Sequence, residues 1–242
     1  MIKKIKFGEN EFKISLPRLN DLGSTFSKVF GNEDIYRFDS EVRSILTKRD
    51  VIIDCGAHIG LFSLCVSQYV DRVYAFEPDI ANCEYFRRNL ELNDIKNVIL
   101  STKAVANIVG ERDFLVSCKS PATSSFYEYP FFNDDGESSL TRKVECITLK
   151  DVFDENNIDF CSLVKMNIEG AEFEVLLNLP SDIYEKIEMF VIESHNRVTK
   201  YGEQDLIDKL KENGFETTIL FRTGKDKTEF TEMRSIRKEI KQ

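Results

Sequence analysis

Histidine is scarce. His58 and His195 are the only two in 242 residues, so a histidine-rich metal centre cannot be assembled. The six cysteines (Cys55, Cys65, Cys83, Cys118, Cys146 and Cys161) are scattered without a C-x-x-C pair, and most stand in apolar surroundings. That spacing argues against zinc and disulfide frameworks and points to buried, reduced thiols. No stretch approaches the ~18 apolar residues of a membrane span, and charges interrupt the first residues where a secretory leader needs an apolar core of at least ~7. A soluble, cytoplasmic protein without membrane insertion is the expectation. Positive charge is in deficit: 33 Lys and Arg against 42 Asp and Glu give a net charge of −9 and an isoelectric point near 5.0. This balance disfavours nucleic acid and anionic surfaces as partners unless a basic patch is segregated. Bases concentrate only in two runs, Lys3, Lys4 and Lys6, then Arg234, Arg237, Lys238 and Lys241. Isoleucines at element-like spacing in both make a solvated face the expected use.

No repeat, low-complexity tract or Pro/Gly/Ser linker divides the chain, so one domain with additions is expected, residues 1–48 as an N-terminal cap and 49–242 as the main domain. Within the cap, Phe12, Ile14 and Leu16 alternate after Gly8-Glu9-Asn10 and predict a hairpin, while 33–48 has helical spacing. From Val51 strands and helices alternate. Strands are predicted at 51–54, 73–77, 97–101, 112–117, 143–147, 161–167, 188–193 and 215–221, and helices at 60–70, 80–92, 149–155, 171–178 and 203–213. Short apolar strands separated by helices imply a mostly parallel sheet with helices on both faces, a Rossmann-like α/β fold. In such sheets ligands bind at the carboxyl ends of the strands, where the strand order switches.

The segment VIIDCGAHIG sits at such a place. Asp54 ends an apolar strand, Gly56 and Gly60 flank a turn, and a helix follows. Glu77 closes the next strand 23 residues later, at the offset where a carboxylate accepts hydrogen bonds from ribose hydroxyls. The pattern D-x-G-x-x-x-G lacks the second close glycine that lets backbone approach a pyrophosphate. An acid at the turn suits an ammonium better than a diphosphate, since like charges repel. S-adenosylmethionine, with an ammonium, a sulfonium and a ribose but no phosphate, fits these features, and the cofactor-binding candidates are Asp54, Gly56, Gly60 and Glu77.

The segments VIIDCGAHIGLFSL, FEPDIANCEYFRRNLELN, VKMNIEGAEFEVL and VIESH resemble, in order and spacing, the FkbM family of methyltransferases over about residues 50–196. The resemblance implies the class I methyltransferase fold, S-adenosylmethionine as donor, and methyl transfer to a hydroxyl oxygen, often of a sugar, glycan or polyketide. It carries Asp54, Gly56, Gly60 and Glu77 to the cofactor, and matches Lys165, Asn167, Glu169, Gly170, Glu172, Glu193 and His195 to the later motifs. Asn167 stands where the family commonly has an aspartate, so a carboxylate role is not carried over there. An amide that both donates and accepts can still orient an acceptor hydroxyl.

Methyl transfer from a sulfonium is an in-line displacement, so alignment and exclusion of water carry much of the catalysis. A hydroxyl nucleophile also benefits from a base. His195 is the candidate by intrinsic pKa, with Glu193 two residues before it on the same strand face and Glu169 as second choice. Lys165, Glu172 and Glu174 also have plainer readings, Lys165 snorkelling from its strand and the glutamates favouring the positive end of the helix they begin, but Glu172 adjoins Gly170 and is weighed toward a site role. The aromatic-rich stretch 119–140, with Ser124, Ser125, Phe126, Tyr127, Tyr129, Phe131 and Phe132, suits a lid or acceptor loop for a glycan or small molecule. Acids near the strand ends show no metal-ligand spacing. Two other classes compete: a nicotinamide-dependent oxidoreductase, against which the missing G-x-G-x-x-G speaks, and a nucleoside-binding scaffold in which Asn167 marks lost catalysis.

Overall fold

The fold is that of a computed structural model, which describes residues 2–7, 10–17, 46–47, 49–117, 124–127, 139–196, 198–223 and 230–238. A hairpin of β1 (Ile2–Phe7) and β2 (Asn10–Ser15) comes first. Then β3 (Val51–Cys55), α1 (Leu61–Ser67), β4 (Arg72–Phe76), α2 (Ile80–Leu92) and β5 (Val98–Ser101) alternate. Three strands follow, β6 (Ala104–Ala106), β7 (Gly110–Ser117) and β8 (Ser139–Thr148). The remainder is α3 (Leu149–Glu155), β9 (Leu163–Met166), α4 (Ala171–Leu177), α5 (Ser181–Tyr184), β10 (Met189–His195), α6 (Glu203–Glu212), β11 (Phe215–Thr223) and β12 (Phe230–Arg237).

The main sheet has the order β11-β12-β10-β9-β3-β4-β5, and β6-β8-β7 make a separate sheet. Strands β3, β4, β5, β9 and β10 are parallel, whereas β12 runs antiparallel to both β10 and β11. The chain walks outward from β3 to β5 and then returns to lay β9 on the other side of β3. The switch in strand order therefore falls between β3 and β9, and the Asp54 and Asn167 turns meet there.

Both faces of the sheet are covered, which is why these strands read as continuous apolar runs. One face joins Ile52, Leu163 and Val191 to Leu64 and Phe62 of α1, Phe86 of α2 and the hairpin residues Phe12, Ile14 and Leu16. The other joins Ile53, Val164, Phe190 and Ile192 to Val152, Phe173 and Leu206 of α3, α4 and α6. The hairpin is fastened to α2 by side-chain amides: Asn89 Oδ1 accepts from Ser15 N at 2.6 Å, and Asn93 bonds both N and O of Lys13 at 2.8 Å.

The sequence reading missed β6, α5 and β12. In β12 only Met233 enters the core cluster, while Glu232 and Arg234 interrupt the apolar pattern; Arg234 and Arg237 thus stand half-buried on a paired strand, and Lys238 just beyond it is exposed. The helix expected at 33–48 and most of 119–140 fall outside the described residues. Cys55, Cys65, Cys83, Cys146 and Cys161 are buried free thiols, and Cys118 lies outside the described residues. Among the described residues no helix is long and apolar enough to cross a membrane.

Candidate functional site

The glycine turn after β3 is held from both neighbouring strands. Gly56 and Gly60 have φ of +77° and +86°, which favour glycine. A Cβ on Gly56 would lie 1.8 Å from the carbonyl oxygen of Asn167, so the β9 turn closes directly over it. On the other flank Glu77, buried at the end of β4, grips the turn: Oε2 accepts from His58 N at 2.8 Å, and Oε1 accepts from Asp79 N at 2.9 Å and Asn82 Nδ2 at 3.3 Å. Burial raises the Glu77 carboxyl to about 7, against the pull of these donors. His58 has φ of +53° and burial, helped by the Lys165 charge, lowers its imidazole to about 4, so it is neutral.

Two expectations need correcting here. Asp54 does not face outward to meet an ammonium: it is fully buried, Oδ2 accepts from Ser63 Oγ at 2.6 Å, and Oδ1 pairs with Lys165 Nζ at 3.0 Å. Lys165 does not snorkel. Its ammonium is buried and donates to the carbonyl oxygens of Gly56 at 2.7 Å and Cys55 at 3.4 Å, so it neutralises Asp54 and fixes the turn.

At the carboxyl ends of β9 and β10 the later candidates converge. His195 Nδ1 lies 3.0 Å from Glu172 Oε1, and Nε2 lies 3.3 Å from Glu169 Oε2 and 3.7 Å from Glu193 Oε1. The strand register brings Glu193 opposite the buried Glu232 of β12, and the Phe230 ring meets His195 edge-on at 5.0 Å. Burial alone would lower the His195 pKa, but Glu169, Glu172 and Glu193 together raise it to about 10. The three carboxylates thus favour the imidazolium form of His195, which suits an ion-pairing partner more than the free base expected from the sequence. Within the cluster Glu169 keeps 14% of its side chain exposed, against 5% for Glu193 and none for Glu172. Glu172 also accepts from the backbone N–H groups of Ile168 and Gly170 at 2.8 Å, tying the turn before α4. Among the described residues no group of three or more His, Cys, Asp and Glu is placed to hold a metal ion.

A methyltransferase FkbM domain model matches residues 54–217, which spans both halves of this site. The chain belongs to the FkbM methyltransferase family. Methyltransferase 1 of Beauveria bassiana is 26% identical over 157 residues, covering 59% of this chain and 63% of that protein. The AMB antimetabolite synthetase AmbE of Pseudomonas aeruginosa is 26% identical over 239 residues, covering 83% of this chain but 11% of the synthetase. The chain thus spans less than two thirds of either relative. Among solved structures, methyltransferase FkbM from Methylobacillus flagellatus superposes with a TM-score of 0.50 at 19% identity, over 83% of this chain and 47% of that one. SMU.1697c from Streptococcus mutans, solved with SAH, gives 0.50 at 14% identity over 92% and 99%. These likenesses show the class I Rossmann-like methyltransferase fold.

Sequence reasoning singled out Asp54, Gly56, Gly60, Glu77, Asn167, Glu169, Glu193 and His195, and the structure brings them into two adjoining groups along the carboxyl edge of β4, β3, β9 and β10. It missed Ser63, Asn82 and Glu232 as partners. Ser63 lies in the first turn of α1 and Asn82 in the first turn of α2, positions that could have flagged them; nothing in the sequence pairs Glu232 with Glu193.

Proposed function

We propose that this FkbM protein transfers the methyl group of S-adenosylmethionine to a hydroxyl of a sugar, glycan or related small molecule, with residues 1–48 as a cap on the catalytic domain. The observation that carries the reading is Glu77, whose carboxylate stands at the end of β4, hydrogen-bonded to the glycine turn. A carboxylate offers about four acceptor positions, and three protein donors occupy only part of that capacity, so one ribose hydroxyl can be accepted without breaking a protein bond. Gly56, Gly60 and the neutral His58 shape the turn beside it, where a second positive charge would oppose a sulfonium. When bound, the cofactor supplies an electrophilic methyl on a good leaving group.

The chain's own residues provide the rest. Glu169 is the most exposed member of the His195 cluster, so it is the carboxylate best placed to take the proton of an acceptor hydroxyl. His195 orients it by ion pairing, and Asn167 at the end of β9 supplies an amide to position the acceptor. The test is calorimetric titration of S-adenosylmethionine and S-adenosylhomocysteine into the wild type and Glu77→Ala. Binding that Glu77→Ala weakens by about an order of magnitude supports the reading, in line with loss of a charged hydrogen bond. A folded wild type that binds neither overturns it.

A further inference from the structure

The bond that ties the β6-β8-β7 sheet to the His195 cluster runs through Ser125. This residue is bridged to Leu115 of β7 by two backbone hydrogen bonds, Leu115 N to Ser125 O at 2.8 Å and Ser125 N to Leu115 O at 2.9 Å. Its buried hydroxyl accepts from Tyr127 N at 3.0 Å and donates to the carbonyl of Glu169 at 2.8 Å. Glu169 is held at φ of +55° and Gly170 at +101°, consecutive left-handed residues. A side chain rarely stays in that region unless its surroundings over-determine it. The surroundings here are named contacts. A Cβ on Gly170 would come 3.1 Å from Tyr127 and 2.7 Å from Val198, and Tyr127 Oη donates to Glu174 Oε2 at 3.0 Å beside the Arg112–Glu174 ion pair.

We propose that Ser125 is a positioning residue: its hydroxyl, anchored to β7, holds the Glu169–Gly170 turn in the left-handed conformation that aims the Glu169 carboxylate at Nε2 of His195. Fixing the Glu169 carbonyl fixes its peptide plane and with it the Cα–Cβ direction from which the side chain starts, and the ion pair with His195 then selects the rotamer that reaches Nε2. The importance of that aim for turnover rests on the proposed role of Glu169, but the geometry has its own readout. Among the described residues, the groups facing His195 include Glu193 on its own strand, Glu172 on α4, Glu169 in the turn and Phe230 on β12, with Glu232 of β12 opposite Glu193; of these acids it is Glu169 whose backbone carbonyl Ser125 holds.

With two histidines in the chain, the imidazole spectrum is simple: burial pushes His58 down, whereas the surrounding carboxylates push His195 up. The experiment is a nitrogen-15 NMR titration of His195 in the wild type, Ser125→Ala, Glu169→Gln and the isosteric pair Ser125→Thr and Ser125→Val, with S-adenosylmethionine affinity measured alongside. Glu169→Gln is expected to lower the His195 midpoint by about one pH unit or more, as removal of a close opposite charge does, and Ser125→Ala to lower it in the same direction by a smaller amount, since the charge is kept and only its aim is loosened. Ser125→Thr should titrate like the wild type and Ser125→Val like Ser125→Ala, with cofactor affinity unchanged in all. Should Ser125→Ala not fold, the Thr and Val pair, which differ only in the hydroxyl, decides. An unshifted midpoint in the folded Ala or Val variant, a Thr variant that behaves like Val, or an unshifted Glu169→Gln would overturn the proposal. Absence of cofactor binding by the wild type would remove the methyltransferase reading while leaving the histidine result to stand on its own.

Discussion

Lys165 and Asp54 face each other at 3.0 Å with side chains 5% and 0% exposed, so each charge depends on the other. Replacing Lys165 by Met leaves a carboxylate buried with only Ser63 as donor, and a cost of about 3–5 kcal/mol is expected, measured by denaturant unfolding. Adding Asp54→Asn should recover most of it. Glu77 gives a pH signature of the opposite kind. Its carboxyl is raised to about 7, so the folded chain holds a proton that the unfolded chain releases from pH 4.5 upward, and stability without ligand declines across that window. A ligand that needs the carboxylate must therefore bind more tightly as pH rises to about 7, by at most about tenfold per unit, and level off above. Calorimetry across that range checks the sign; affinity that falls with pH would contradict it. His195 contributes stability that is complete below 6.5 and is lost as pH rises toward about 10. Unfolding midpoints measured over that interval should fall, and should fall less in Glu172→Gln.

Among the elements, α2 has a double duty. Its N-cap Asp79 accepts from Ala81 N at 2.9 Å and sets the start of the helix beside Glu77. Further along, Asn89 accepts from Ser15 N at 2.6 Å and donates to the carbonyl of Ile59 at 2.9 Å, so one buried amide connects the hairpin to the glycine turn. Removing it strands both partners. Asn89→Ala is expected to cost about 1–3 kcal/mol and to strip hydrogen-exchange protection from Ser15 in β2. Protection at Ser15 equal to wild type would show that the hairpin is held by its apolar side alone. Phe86 of the same helix fills the space over Gly60, where a Cβ would come within 2.1 Å of the ring, so the packing of α2 and the glycine of the turn are a single requirement.

For the whole molecule, the parallel half of the sheet was legible in the sequence because VIID, AFE and VKM are buried on both faces and carry little else. The residues of the site were legible for the same reason: chemistry-bearing side chains such as Asp54, Glu77 and Glu193 interrupt apolar strands, and an interruption at a strand end is visible. Their partners were not. That Lys165 would turn inward to Asp54 depends on which strands become neighbours, and the β3-β9 pairing is made by segments far apart in the chain; that three carboxylates would close on His195 depends on how the turn before α4 folds back onto β10. β12 escaped because its alternation is of Thr231, Met233 and Ser235 against Glu232 and Arg234, with one apolar core residue. It is nevertheless locked in place. The Arg237 guanidinium donates to the carbonyls of Ile187 at 3.0 Å, Asn213 at 3.2 Å and Tyr184, and lies 4.5 Å over the Phe215 ring. Arg237→Ala leaves those carbonyls short of a donor, and thermal unfolding should shift down by several degrees, about 2–4 °C per kcal/mol for a chain of this size.

The position of β12 between β10 and β11 also orders events on the ribosome. Both outer neighbours are synthesised before the strand that joins them. Until residues 230–237 emerge, β10 presents an open hydrogen-bonding edge next to the nascent Glu193 and His195, and β11 has no sheet to join. At about 5–20 residues per second the interval lasts seconds, long compared with hairpin closure. Such an edge is a template for pairing with other chains, so a stall or a stop codon ahead of Phe230 would yield an aggregating product and not a shortened native fold.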